Sequence, residues 1–344
     1  MVKLDPPWLA RSIARTGCYG LGQSRVDLTM LGRLYVLFAV TDGTSTRLKH
    51  YGTAGIARLA QQVAGARETQ KNMPGFVRVK HERLQRDRAR LEEALGRPAT
   101  GLRMLNIGPG QLLREARYFA VDNHVSCLDL DVLPKGVDPV GYAKMLQANG
   151  PGRVIKTLGR KLVGNDRVEF REWKRELGLS YLPDPECLVG DICDGAPEPG
   201  TWDIVATWAV FQHIDDAVLA LKKCVEALAP GGVLYHGIQL WTCNTGHHDI
   251  RAFIGQEDSL PLWAHLRPGK EELVESSAWL NKRRLRDWRA VFEEVCPGYT
   301  EYQDRWGEEG YREQMTPELR EELKDYEDEE LYTVDVFYRW TKPA

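Results

Sequence analysis

Leu102-Arg103-Met104-Leu105-Asn106-Ile107-Gly108-Pro109-Gly110-Gln111-Leu112 decides the reading of this chain. An apolar strand over residues 102–107 breaks at a glycine turn and passes straight into a helix expected from Leu112 to Ala120. Gly108 and Gly110 carry no Cβ, so the backbone can adopt left-handed dihedrals and a ligand can lie against it, with the N–H groups of the helix start nearby. About 20 residues further on, Val125-Ser126-Cys127-Leu128-Asp129 reads as a second apolar strand ending in an acid, where a carboxylate can meet ribose hydroxyls. Leu113 stands where a dinucleotide turn has its third glycine, and no pyrophosphate clamp is evident. The pattern therefore fits a smaller adenosine ligand better than a dinucleotide.

Outward from that turn, strands and helices alternate, which predicts an α/β fold: a doubly wound, mostly parallel sheet of seven strands. The strands are expected at 102–107, 124–130, 186–191, 202–208, 232–239, 299–303 and 331–341. Insertions are expected at 134–185, with a helix from Tyr142 to Asn149, and at 241–275. Residues 1–100 show helical spacing at Asp27 to Val40, Thr53 to Gln70 and Val77 to Leu95, and predict a helical lobe that covers part of the site, ahead of a domain at 101–344. A helix from Asp215 to Leu228 should lead into the fifth strand, and Thr316 to Tyr326 has a well-capped helix start.

At 344 residues with 43% hydrophobic content the chain can bury a substantial core. Its longest apolar run, Leu34 to Val40, is far short of the roughly 20 residues of a membrane span, and no signal-type apolar region opens the chain, so a cytoplasmic location without membrane contact is expected. Seven cysteines without a C-x-x-C pair argue against a disulfide framework. Net charge is −3, yet residues 1–100 hold 17 basic against 8 acidic side chains. That asymmetry fits solvated helix faces, an anionic substrate or a nucleic acid.

The remaining signals fall at C-terminal strand ends, where open α/β sheets bind ligands. Leu188-Val189-Gly190-Asp191-Ile192 ends a strand on an acid. Trp202 to His213 runs from a strand into a loop. Leu228-Ala229-Pro230-Gly231-Gly232 turns into the next strand.

With these residues in place, the chain resembles the class I S-adenosylmethionine-dependent methyltransferases over about residues 101–240. Asn106-Ile107-Gly108-Pro109-Gly110 resembles the family's glycine motif, Asp129 its ribose acid, Asp191-Ile192 its adenine contact, Asp203 to His213 its fourth motif, and the Leu228 to Gly232 turn its L-x-P-G-G. The resemblance implies the Rossmann-like methyltransferase fold, S-adenosylmethionine as cofactor with S-adenosylhomocysteine as product, and cofactor contacts from Asn106 to Gly110, that is Asn106, Ile107, Gly108, Pro109 and Gly110, with Asp129, Leu130, Asp191, Ile192, Thr207 and Trp208. Asn106 departs from the usual Asp or Glu, and so brings no charge to the cofactor's ammonium. Thr245 to Arg251, Leu262 to Pro268 and Trp279 to Lys282 resemble a bacterial subgroup associated with polysaccharide and natural-product pathways.

Methyl transfer from a sulfonium is an in-line displacement that needs alignment and a dry pocket, and a hydroxyl acceptor also needs a base. His213, His247 and His248 are the candidate catalytic residues, with His213 alternatively a structural group at the Asp215 helix. Gln212, Trp241, Asp249, Trp263, His265 and Arg267 are candidate substrate contacts, with a surface loop anchored by a buried tryptophan as the alternative for the last region. His247, His248 and Asp249 lie too close together along the chain to converge readily on a metal, and none is expected. The expected acceptor is a small molecule or glycan methylated at oxygen; a homodimer stays open. A non-catalytic cofactor-binding scaffold is one alternative. RNA methylation is another, motivated by Arg78, Lys80, Arg83, Arg86, Arg88 and Arg90 but disfavoured by the missing aromatic interleaving. Asp5-Pro6-Pro7-Trp8 looks like the tetrapeptide of amino-methylating nucleic-acid enzymes, but it lies too early to follow a central strand.

Overall fold

The structure, a computed structural model, describes residues 53–133, 138–149, 154, 157–158, 164–253 and 259–344. The expected helix Asp27 to Val40 and the tetrapeptide at Asp5 lie outside the described residues. The chain divides into two compact units, Met1–Glu68 and Thr69–Ala344. Met73, Val77, Leu84 and Leu91, within the expected N-terminal lobe, pack in one core with residues of the sheet.

The two helices expected before residue 95 form one, α1 (Thr53–Leu95), which continues through Pro74. Met73, Val77, Leu84 and Leu91 recur at helical spacing and are all buried, so this face of α1 has an apolar stripe to bury. Next come β1 (Arg103–Ile107), α2 (Arg114–Phe119), β2 (His124–Asp129), α3 (Pro139–Asn149), α4 (Asn165–Glu176), β3 (Glu186–Val189) and β4 (Trp202–Trp208). They are followed by α5 (Ala217–Ala227), β5 (Leu228–Gln239), α6 (Leu285–Val295), β6 (Thr300–Asp304), α7 (Glu308–Glu313), α8 (Pro317–Glu322), α9 (Asp328–Tyr332) and β7 (Asp335–Thr341).

The seven strands form one sheet in the order β3-β2-β1-β4-β5-β7-β6. Pairings from β3 to β5 are parallel, and β7 runs antiparallel to both β5 and β6. Strand order reverses between β1 and β4, so the crevice for a ligand opens above their C-terminal ends. Both faces of the sheet are covered. One packs Leu105, Val205, Leu234 and Ile238 under α5 and α6; the other packs Met104, Ile204, Ala206 and Tyr235 under the buried stripe of α1 together with α2 and α4.

Where the chain departs from expectation, local chemistry explains it. The helix expected from Leu112 starts at Arg114, because Leu113 occupies the left-handed region at φ 52°. The strand expected from Leu331 starts at Asp335, since Glu327 and Glu330 form a capping box that holds residues 328–332 helical. Strand β5 includes the Leu228 to Gly232 turn, with the register slipping opposite Trp202 and Ile204. A Cβ on Gly232 would lie 2.8 Å from the Trp202 carbonyl oxygen, so only glycine fits this slip.

Candidate active site

The glycine turn closes against the loop after β4. Gly108 sits at φ 61°, its N–H donates to Leu128 O at 2.8 Å, and a Cβ there would lie 2.6 Å from Val210 Cγ2. Gly110 is also left-handed, at φ 65°, but nothing lies within 4 Å of where its Cβ would be. Gly108 is therefore required by the protein's own packing, and Gly110 faces open space that a ligand can use. Pro109 between them is buried.

Asn106 is 1% exposed; its amide donates to Ala206 O at 3.2 Å, which ties β1 to β4, while its Oδ1 is buried without a hydrogen-bond partner. Asp129 ends β2 and accepts from Asp131 N at 2.8 Å. Asp191 accepts from Cys193 N at 2.8 Å and caps a short turn of helix, and Ile192 is buried in the core. Leu130 and Val189, at the ends of β2 and β3, are 65% and 59% exposed. An acid beside bare aliphatic surface at two neighbouring strand ends is what an adenosine needs, with polar contacts for the ribose and apolar contacts for the base.

Two further expected cofactor residues lie at the end of β4. Thr207 is fully buried on the α5 and α6 side, its hydroxyl without a partner. Trp208 donates its indole N–H to Asp87 of α1 at 2.9 Å and stacks on Phe119 with centroids 5.6 Å apart. Asp87 is fully buried and also accepts from Tyr235 OH at 2.5 Å. Burial pushes its carboxyl upward in pKa, against the pull of Arg83, Tyr235, Trp208 and Arg90.

The histidines expected to act on the acceptor do come together. His213 Nδ1 lies 2.9 Å from Trp279 O, and its ring stands edge-on to His248 with centroids 4.9 Å apart. Burial, and then His213 and His247, push His248 down to about 4. His247 accepts from Asp249 N at 2.9 Å through Nδ1, so its neutral ring keeps the hydrogen on Nε2. His265 faces His247 with centroids 5.0 Å apart and Trp241 at 4.6 Å, and its Nε2 donates to Trp241 O at 2.8 Å. Its Nδ1 is left buried without a partner, and burial pushes the ring down to about 3.

Other expected substrate contacts hold the loops. Asp249 is fully buried and accepts from Arg251 at 3.0 and 2.6 Å and from Glu275 N at 2.8 Å. Burial alone would raise its carboxyl, but these bonds outweigh it and hold the group at about 2. Trp263 is fully buried in a separate cluster with Leu319, Leu323 and Tyr332. Arg267 grips Glu322 at 2.6 and 3.0 Å. These are loop anchors. Gln212 is buried, with both side-chain polar atoms unpartnered. Among the described residues no three His, Cys, Asp or Glu side chains are grouped to hold a metal ion.

Sequence reasoning singled out the 279–282 segment only by its resemblance to a subgroup and gave none of its side chains a place in the site. Asn281 N–H donates to Gln212 O at 2.9 Å, and its amide donates to Phe211 O at 2.8 Å and Ile214 O at 3.0 Å, lacing this segment onto the loop after β4. No local signal could reveal contacts between residues nearly 70 positions apart. Backbone strain marks the same region: Ala209, His248, Trp263 and Lys282 all have φ between 48° and 56°, and such strain clusters at functional sites.

Residues 148–236, about a quarter of the chain, match the model of a methyltransferase domain family. The match takes in β3, β4 and most of β5 and leaves the glycine turn outside. That stretch is therefore similar to a methyltransferase domain, and the strand order β3-β2-β1-β4-β5-β7-β6, with β7 antiparallel to its neighbours, is a Rossmann-like sheet with an antiparallel edge.

Among solved structures, the chain is similar to Haemonchus contortus phosphoethanolamine N-methyltransferase 2 in complex with S-adenosyl-L-methionine, at 15% identity and a TM-score of 0.38 over 75% of this chain and 53% of that one. The chain thus spans about half the length of that protein. An S-adenosylmethionine-dependent methyltransferase from Mesorhizobium loti matches at 14% identity and a TM-score of 0.38, over 71% of this chain and 92% of that one. Geranyl diphosphate C-methyltransferase from Streptomyces coelicolor A3(2) matches at 12% identity and a TM-score of 0.38, over 77% and 80%. No curated protein sequence matches the chain. No helix among the described residues is long and apolar enough to cross a membrane.

Proposed function

We propose that this chain transfers the methyl group of S-adenosylmethionine to an oxygen of a small molecule or glycan, with His213 taking the proton of the acceptor hydroxyl. The observation that carries this reading is the bond from His213 to Trp279 O at 2.9 Å. A carbonyl only accepts, so Nδ1 carries the hydrogen and Nε2 of the neutral ring keeps its lone pair. That lone pair belongs to a ring in the loop after β4, beside the crevice at the strand-order reversal. The cofactor supplies the electrophilic methyl; Gly108, Gly110 and Asp129 would hold its adenosine end. His213 removes the proton that would otherwise remain on the product oxygen.

The helix α1 argues against an RNA substrate. Arg83 pairs with Asp335 at 3.2 Å, Arg86 with Asp304 at 3.8 Å, Arg88 with Asp122 at 2.7 Å and Arg90 with Asp87 at 3.5 Å. Cations already neutralised by the protein's own carboxylates have little left to release phosphate counterions.

Calorimetric titration with S-adenosylmethionine, followed by mass spectrometry of metabolite pools incubated with methyl-labelled cofactor, tests the proposal. The expected result is cofactor binding and label recovered in a methyl ether. No binding at about millimolar cofactor, beyond the usual range of enzyme substrate affinities, would leave only a scaffold role.

A further inference from the structure

The groups facing the acceptor side form a closed circuit. His213 meets His248 at 4.9 Å, His247 precedes His248 in the chain and meets His265 at 5.0 Å, and His265 meets Trp241 at 4.6 Å. Lys282 Nζ lies 5.0 Å from the Trp241 ring centroid, and the 279–282 segment returns to His213 through Trp279 O. Lys282 is the formal cation of this circuit. It is exposed, sits in a left-handed backbone conformation at φ 56°, and has no carboxylate partner among the described residues.

Three of the guanidinium groups nearby are committed to carboxylates. Arg251 is held by Asp249, Arg267 by Glu322 and Arg284 by Glu330, while Arg283 lies over the Trp288 ring. Asp249, next to His248 in the chain, is already saturated by Arg251 and by backbone N–H groups. The circuit therefore offers one uncompensated positive charge, an aromatic face and one buried acceptor, His265 Nδ1, waiting for a donor. Trp241 adjoins both, its ring centroid 5.0 Å from Lys282 Nζ and 4.6 Å from that of His265, which puts the cation and the lone pair within reach of one molecule.

We propose that the methyl acceptor is a hydroxy acid whose carboxylate is bound by Lys282 against Trp241 and whose second hydroxyl, not the one that His213 deprotonates, donates a hydrogen bond to His265 Nδ1. A single lysine is a point charge suited to a monoanion; a phosphate dianion calls for bidentate arginine or several converging N–H donors, which this circuit does not provide. Pinning of Asn281 to residues 211, 212 and 214 holds Lys282 in its strained conformation, so the charge is positioned before the acceptor arrives. The inference rests on the methyltransferase reading and adds to it the substrate class.

The test titrates 3,4-dihydroxybenzoate and its uncharged counterpart 3,4-dihydroxybenzamide into the full chain saturated with S-adenosylhomocysteine, for wild type and for Lys282→Gln, Lys282→Arg and His265→Phe. The wild type should prefer the acid by about ten-fold or more, Lys282→Gln should bring the two within about two-fold, and Lys282→Arg should restore part of the preference. His265→Phe should weaken both probes equally. Binding of S-adenosylhomocysteine with no preference for the acid, or a preference that survives Lys282→Gln, overturns the carboxylate assignment while leaving methyl transfer standing. Failure of S-adenosylhomocysteine itself to bind overturns both.

Discussion

His213 Nδ1 is fixed 2.9 Å from Trp279 O, 66 residues further along the chain, and this one bond determines which ring nitrogen can accept a proton. Replacing His213 with alanine should lower turnover by about 100-fold or more while leaving cofactor affinity nearly unchanged, because proton transfer contributes only in the transition state. Steady-state kinetics beside calorimetry on the same variant checks both halves. Turnover within a few-fold of wild type would remove His213 as the base.

The Gly108 and Val210 contact predicts a coupled pair. Gly108→Ala forces an alanine into φ 61° and places its Cβ 2.6 Å from Val210 Cγ2, and should cost about 1–3 kcal/mol in urea denaturation. Val210→Ala in the same chain should recover part of that cost. Gly110→Ala meets no neighbouring atom, so it should affect stability less and cofactor affinity more.

Asp129 ends β2 at the crevice and orders the turn through Asp131 N at 2.8 Å. Its replacement by alanine should weaken S-adenosylhomocysteine by about 1.5–3 kcal/mol through lost charge-assisted hydrogen bonds. A calorimetric affinity unchanged from wild type would place the ribose elsewhere.

Asp87 is the buried carboxylate on which Trp208, Tyr235 and Arg90 converge. Asp87→Ala leaves the Trp208 and Tyr235 donors without their acceptor and removes the nearer of Arg90's two carboxylates, and should destabilise the fold by about 3–5 kcal/mol. Tyr235→Phe removes one hydroxyl from the same network and should cost about 1 kcal/mol. Denaturant midpoints of the two variants should rank in that order.

His236, fully buried in β5 with both ring nitrogens unpartnered, is pushed down to about 3 by burial. The unfolded ring titrates near its ordinary value, so between the two values the unfolded chain binds the extra proton. The stability this group contributes is present above about pH 6.5 and is lost as pH falls towards about 3, at up to about 1.4 kcal/mol per pH unit. His236→Leu should therefore gain about 2 kcal/mol relative to wild type on going from about pH 7.5 to about pH 5. Parallel thermal melts that shift equally for both proteins would refute this.

The sequence by itself determined the sheet. Apolar runs bounded by turn residues put the first four strands within two residues of their observed ends, because a strand buried on both faces must be continuously apolar, and that requirement is written locally. Gly108 and Gly110 were legible for the same reason, since their dihedrals exclude most side chains whatever surrounds them. Element ends set by capping, such as the α9 start at Glu327 and Glu330, were local too but competed with a strand pattern that ran through them.

The acceptor side was decided by tertiary structure. Four histidines, Trp241 and Lys282, from the loop after β4 and the long segment between β5 and α6, meet through contacts that no periodicity encodes. Trp263 and Arg267 had the same residue chemistry as their neighbours in sequence, yet they turn into a packing cluster and a salt bridge with Glu322. A side chain's role in a loop depends on which distant partner satisfies it, and only the folded arrangement supplies those partners. Asp87 makes the same point inside a helix: its charge looks like a solvated helix face in the sequence, and the fold buries it under Trp208 and Tyr235.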